Sequence, residues 1–346
     1  KGRARTTSST LFSTTSWFRK GRSDFMLTRE IIRRVREIQV RTGRQVADVL
    51  AGEYVSVFKG TGVEFDEVRP YIPGDDVRSI DWNVTARTGE PFVKRYVEER
   101  QLTLMLVADV SASQDFGSGQ RSKRETAAEI CALLAFSATR NDDKVGLALF
   151  HSEIEEYIAP RKGQKHALRV VREVLAHGEK ISFDAPLVRT PRSALRSRFG
   201  RWRRPRSARQ ATDVARAMEF VLSVTRRRTI CFVVSDFLDE GFERSLVLAN
   251  QRHDVIAVLV TDPHEFDLPA VGLVALRDAE TGRERLVDAG SGAFRREVRR
   301  FSEERVAGLE HRLRSAGIDF IHIDAASSVV DPLVRFFRMR ARRSRR

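Results

Sequence analysis

The spacing of apolar positions changes period twice along the chain. Between residues 27 and 50, Ile31, Ile32, Val35, Ile38, Val46 and Val49 recur at helical intervals among Arg, Glu and Gln, which predicts a basic amphipathic helix or a pair of them. Residues 54–100 break into short β-prone runs (YVSVF, VEFDEVRPY, PFVKRYVEE) separated by the turn signals KGTG at 59–62, PGDD at 73–76 and RTGEP at 87–91. They predict a small β-rich unit. From Gln101 onward strands and helices alternate. Strands are expected at 102–109, 144–150, 155–160, 229–236, 254–262 and 318–324, and helices at 123–140, 164–176, 213–225, 241–252 and 293–316. A hairpin is expected around 271–288, and 155–160 reads as an antiparallel partner of 144–150. Near-continuous apolar strands need cover on both faces. The expected fold class is therefore α/β, a doubly wound, mostly parallel sheet preceded by the small N-terminal β-rich unit.

Composition and charge refine this picture. The 346 residues are 41% hydrophobic, enough for one large domain and a smaller one. Cys131 and Cys231 lie in apolar segments with no CxxC or Cys/His spacing, which predicts two reduced, buried thiols in a cytoplasmic protein. No segment reaches the roughly 18–20 apolar residues that span a bilayer. Residues 1–25 lack the apolar centre of a secretory signal. The net charge of +15 is confined to blocks. Residues 1–25 carry a net +5, residues 189–209 hold nine arginines and no acid, and residues 335–346 hold seven arginines and no acid. The organisation expected is a flexible basic extension (1–26), a helix and β-rich unit (27–100), the main domain (101–334) interrupted by an Arg-rich insertion (181–210), and a basic tail (335–346). Such blocks read as solvated arms that attract nucleic acid or anionic lipid by counterion release. Without an interleaved aromatic stacking pattern they imply no specific nucleic acid.

Enzyme motifs are missing: the sequence has no GxxxxGK[ST], GxSxG, HExxH or strand-to-helix GxGxxG. The seven histidines are scattered, and His151, His166 and His322 read as capping or packing residues. The chemistry that stands out is Asp109-Val110-Ser111-Ala112-Ser113, at the end of the first strand of the main domain. In open α/β sheets ligands bind outside the carboxyl ends of the strands. One carboxylate and two hydroxyls on that loop are hard oxygen donors, suited to Mg²⁺ or Mn²⁺. Thr212 opens a later helix, and Asp236 ends the strand CFVVSD. The plainer readings are an N-cap for Thr212 and a turn for Asp236.

This set resembles the metal-ion-dependent adhesion site of von Willebrand factor A domains, a family with a doubly wound sheet. The resemblance implies Ser111, Ser113 and Thr212 as near ligands and Asp109 and Asp236 in support, with the last coordination position left to an acidic side chain of a protein partner. A longer match, GVEFDEVRPYIPGDDVRSIDWNVTARTGEPFVKRYVEER at 62–100, is similar to the signature of a bacterial family known as domain of unknown function 58. SKRETAAEICALLAFSATRNDDKVGLALF at 122–150 and VVSDFLDEG at 233–241 agree with it. That resemblance implies a MoxR-type AAA+ ATPase as partner. Within the signature, Gly74-Asp75-Asp76 reads as a tight turn. Arg69, Arg78 and Arg87 are placed to pair with Asp75, Asp76, Asp81 or Glu99, either as a docking network or as a recognition surface.

The expected function is a non-enzymatic, metal-dependent protein-interaction module working with that ATPase. One alternative is a metal-dependent hydrolase with Asp115 or Asp142 as base, disfavoured because no His or Lys accompanies the site in sequence. The other is a nucleic-acid or membrane-surface binder acting through the arginine arms.

Overall fold

The structure, a computed structural model, describes residues 62–99, 102–119, 121–182, 212–277 and 284–344. The basic extension 1–26, the helix predicted over 27–50, the strand expected near 54–58 and residues 183–210 of the Arg-rich insertion lie outside the described residues.

The signature segment forms a two-stranded antiparallel sheet from β1 (Gly62–Pro70) and β2 (Phe92–Glu99). A short helix, α1 (Trp82–Thr88), lies between them. Its ends are set by local chemistry. The Asp81 carboxylate accepts from the Asn83 and Val84 amides, and Gly89 leaves the helix at φ 79°, where a side chain would be strained. Gly74 sits at φ 113°, as the predicted tight turn requires. Of the three arginines proposed to pair there, Arg69 holds Asp75 in a two-pronged contact at 2.8 and 2.7 Å. Asp76 instead caps the Arg78 amide, and Asp81 pairs with Lys94 at 3.4 Å.

The main sheet has six strands in the order β10-β7-β6-β3-β4-β5: β3 (Thr103–Asp109), β4 (Lys144–Phe150), β5 (Ile154–Arg161), β6 (Ile230–Ser235), β7 (Asp254–Thr261) and β10 (Asp319–Asp324). All neighbours are parallel except β5, which returns antiparallel along β4. Helices α2 (Lys123–Arg140), α3 (Gln164–Ser182) and α7 (Val330–Ser344) cover one face, packing on Leu104, Leu106, Leu147, Phe232 and Val258. Helices α4 (Val214–Val224), α5 (Glu243–Arg252) and α6 (Gly292–Ser315) cover the other, packing on Met105, Val107, Val233 and Leu259. Alternate residues of one strand feed opposite cores, as a period of two dictates. Each fully buried aliphatic or aromatic side chain contributes about 1.5–3 kcal/mol. The doubly wound α/β class expected from the pattern is the one observed. The hairpin expected near 271–288 is β8 (Leu273–Arg277) with β9 (Glu284–Asp288).

Two boundaries differ from expectation. Helix α3 runs six residues past the predicted end, to Ser182. Residues 335–344, expected as a basic tail, are the body of α7. Leu333, Phe336, Phe337 and Ala341 are buried against the sheet. Arg340 pairs with Asp254 and Asp319, and Arg343 with Asp319. The arginines are the outer side of an amphipathic helix, so the main domain extends to Ser344. Helix α2 is also buried far beyond one stripe, because it lies between the sheet and α3.

Cys131 faces the first core and Cys231 the second, so the sheet separates them. Burial pushes the Cys131 thiol up to about 12 and raises Cys231 as well, so both stay protonated.

Candidate metal centre at the switch point

Strand order decides where a site can form. From β3 the chain crosses to β4 and β5 on one side, then returns to β6 on the other side of β3. The chain therefore leaves β3 and β6 in opposite directions, and the carboxyl ends of these two strands are the switch point, where sheets of this kind form the crevice that takes a ligand. Asp109 is the last residue of β3, and Asp236 is the first after β6.

Both carboxylates are buried, Asp109 at 1% exposure and Asp236 at 0%. One oxygen of Asp109 accepts from the Ser111 amide at 2.8 Å, and the other from the Ser235 hydroxyl at 2.7 Å. Ser235 Oγ in turn accepts from the Phe237 amide at 3.0 Å, which joins the two loops. Burial, and next the negative charge of Asp236, push the Asp109 carboxyl up to about 7. The hydroxyls of Ser111, just before the short turn Ala112–Asp115, and of Ser113 within it lie 2.9 Å apart. Gly117 keeps the rest of this loop tight: a Cβ there would meet Ser122 Cα at 2.6 Å and the Arg121 carbonyl at 2.8 Å.

Thr212 is brought to the same rim. It is buried, and its neighbour Asp213 donates its amide to the carbonyl of His151, just beyond β4. The Phe150 carbonyl before it accepts from Val110. On the other side, the Val214 amide donates to Asp239 in the loop after β6. The plainer reading of Thr212, an N-cap, is not the one observed: Asp213 is the N-cap of α4, its carboxylate accepting from the Arg216 amide. Phe237 stands at φ 48°, a left-handed conformation that costs on the order of 1–3 kcal/mol and is held by burial against Phe242.

A buried cation completes the rim, and the sequence reading missed it. The Lys123 ammonium, 2% exposed, contacts Asp236 Oδ2 at 2.8 Å and Glu265 at 2.7 Å. Burial acts to lower its pKa, but Asp236 and Glu265 outweigh that and raise it, so the amine stays charged. Arg305 on α6 donates to the Asp236 carbonyl at 3.0 Å and lies 3.4 Å from Glu265. The statement that no lysine accompanies the site is thus overturned. The available signal was a lysine at the first position of a helix, where the macrodipole disfavours positive charge.

The fit of a cation can be judged from these atoms. Asp236 Oδ1 is buried and has no hydrogen-bond partner. The donors gathered at the crevice are carboxylate and hydroxyl oxygens, the set a hard divalent ion prefers. Among the described residues no group of three or more His, Cys, Asp or Glu side chains is arranged to hold a metal, so an ion at this rim would need serine and threonine oxygens as well. The proposed base Asp142 lies at the opposite end of the sheet, in the turn before β4, paired with Lys162. Asp115 pairs with Arg124.

Residues 67–307 match the family described as protein of unknown function DUF58. The chain belongs to this family. Uncharacterized proteins from Mycobacterium bovis and Mycobacterium tuberculosis are 30% identical over 311 residues, covering 89% of this chain and 89% of theirs. Among solved structures, the conserved hypothetical protein BatB of Bacteroides thetaiotaomicron aligns over 70% of this chain and 99% of its own, at 14% identity and a TM-score of 0.37. The SpRpn10 VWA domain aligns over 68% of this chain and 94% of its own, at 10% identity and a TM-score of 0.35. The strand order given above, and not these alignments, defines the fold. Among the described residues of this DUF58 chain, no helix is long and apolar enough to cross a membrane.

Proposed function

We propose that this chain is a non-enzymatic, metal-dependent protein-interaction module. The observation that carries the reading is the pair of buried carboxylates at the switch point, Asp109 and Asp236, with one Asp236 oxygen unpartnered. Two like charges held out of water and an orphaned acceptor are a costly arrangement, and a hard cation relieves both. Ser111, Ser113 and Thr212 would be near ligands, with Asp109 and Asp236 in support. A bound Mg²⁺ or Mn²⁺ supplies an exchangeable coordination position that an acidic side chain of a protein client completes.

The chain's own residues prepare that position. The Ser111 amide and Ser235 hydroxyl fix both oxygens of Asp109. Lys123 fixes Asp236 Oδ2 and leaves Oδ1 as the open acceptor. A hydrolase reading gains nothing from Lys123, because an ammonium committed to two carboxylates is no base. The partner we assign, a MoxR-type AAA+ ATPase, follows from the family resemblance. We place its docking face on the signature unit, where Ile72, Val77 and Trp82 are 59%, 61% and 69% exposed along a loop, a short turn and the start of α1 that are pinned by Asp75, Asp76 and Asp81.

The test is capture of a MoxR-type ATPase, and of client proteins, on immobilised full chain with Mg²⁺ or with EDTA. Capture that needs Mg²⁺, and that is lost in Asp109→Ala while the variant keeps its circular dichroism, supports the proposal. Equal capture by wild type and variant in both buffers refutes it. Trp82→Ala should reduce ATPase capture alone.

A further inference from the structure

The cluster behind the crevice has an uneven charge count. With all its carboxylates ionised, the cluster holds three negative charges (Asp109, Asp236 and Glu265) against two positive ones (Lys123 and Arg305). The ionised network therefore carries one net negative charge, and a divalent ion would leave it at one net positive. We infer that Lys123 sets the charge of the loaded centre, weakening its hold on the cation in order to leave an excess positive charge that selects an anionic carboxylate as the incoming ligand. The inference rests on the metal-binding reading proposed above.

Three observations carry it. Lys123 is buried with its ammonium on Asp236, so its charge acts through a medium of low polarity and is little screened by salt. It is a positioning residue: it touches Asp236 Oδ2 and leaves Oδ1 unpartnered. The network also has a lever of opposite sign. Glu265 sits behind Lys123, in contact with it and with Arg305, and is not among the proposed ligands. Removing the lysine charge makes the centre one charge more negative, and removing the glutamate charge makes it one charge more positive. A purely structural role would make both variants worse at everything. The charge-setting role moves cation and anion binding in opposite directions within each variant, and in opposite directions between the two.

The experiment uses the full chain and two probes: Mn²⁺ alone, followed by the electron paramagnetic resonance signal of the free ion, and acetate, followed by paramagnetic relaxation of its methyl protons by protein-bound Mn²⁺. Lys123→Met should bind Mn²⁺ at least about tenfold more tightly than wild type and relax acetate less. Glu265→Gln should bind Mn²⁺ about tenfold more weakly and, once saturated, relax acetate more. If Lys123→Met does not fold, Glu265→Gln decides. Unchanged Mn²⁺ affinity in Glu265→Gln, with binding lost in Ser111→Ala, overturns the charge-setting role and leaves the metal centre standing. Equal Mn²⁺ binding by wild type and Ser111→Ala, or none by either, overturns both.

Discussion

Replacing Asp109 by Asn should stabilise the protein in the absence of metal, although it removes a buried residue with two hydrogen bonds. The side chain keeps its shape and loses its charge. In the native state the Asp109 carboxyl is raised from 3.8 to about 7, by burial and then by Asp236. Each tenfold change in acidity is about 1.4 kcal/mol, so holding Asp109 ionised in the fold costs roughly 4 kcal/mol. Asparagine removes that cost. The hydrogen bonds from the Ser111 amide and the Ser235 hydroxyl are already contained in that net shift, but asparagine offers one acceptor oxygen where aspartate offers two, so one of the two donors must find another partner, a loss of about 1–3 kcal/mol. The balance favours the variant by about 1–3 kcal/mol once Asp109 is ionised.

The pH dependence has a definite sign. A raised native pKa means that the native state holds the proton longer than the unfolded chain does. Wild-type stability from this group is therefore complete below about pH 4 and falls as pH rises through about 7. The variant lacks this dependence. Urea unfolding in EDTA, followed by circular dichroism, should show Asp109→Asn equal to or below wild type near pH 4 and above it near pH 8. Added Mg²⁺ should stabilise wild type and not the variant, reversing their order at the higher pH. An Asp109→Asn protein less stable than wild type at every pH in EDTA would refute the electrostatic reasoning.

Other expectations concern the frame around the site. Phe337→Ala should destabilise the protein by about 3–5 kcal/mol in a denaturant titration, because residues 335–344 are core helix and not a dispensable arm. Gly117→Ala should cost about 1–3 kcal/mol and weaken Mn²⁺ binding measured by calorimetry, since its Cβ would strike backbone atoms of the loop that carries Ser111 and Ser113. Cys131 and Cys231 should resist a thiol reagent in native buffer and both label in urea, as free thiols buried on opposite faces of the sheet.

What was legible in the sequence was whatever depends on period and chain order. Val and Leu runs of strand length, alternating with helical stripes, fixed a doubly wound sheet, and the site carboxylates at strand ends followed from it. Features made by long-range pairing were hidden. Lys123 meets Asp236 and Glu265 across 113 and 142 residues, and its unfavourable place at the first position of a helix is the one local hint of those partners. Thr212 and Asp213 are both good caps, and only the approach of His151 and Asp239 decides which of them caps. The density of arginine after residue 334 obscured the apolar stripe Leu333, Phe336, Phe337 and Ala341, which runs at helical spacing through it. Charge count spoke louder than period there, and period was the better guide.

The most direct test of the metal centre is the thermal unfolding midpoint of the full chain in Mg²⁺ and in EDTA, alongside the double variant Ser111→Ala/Ser113→Ala. A ligand that binds only the folded state raises the midpoint by mass action. Wild type should unfold several degrees higher in Mg²⁺, and the double variant should unfold at one temperature in both buffers. A wild-type midpoint indifferent to Mg²⁺ would contradict the account.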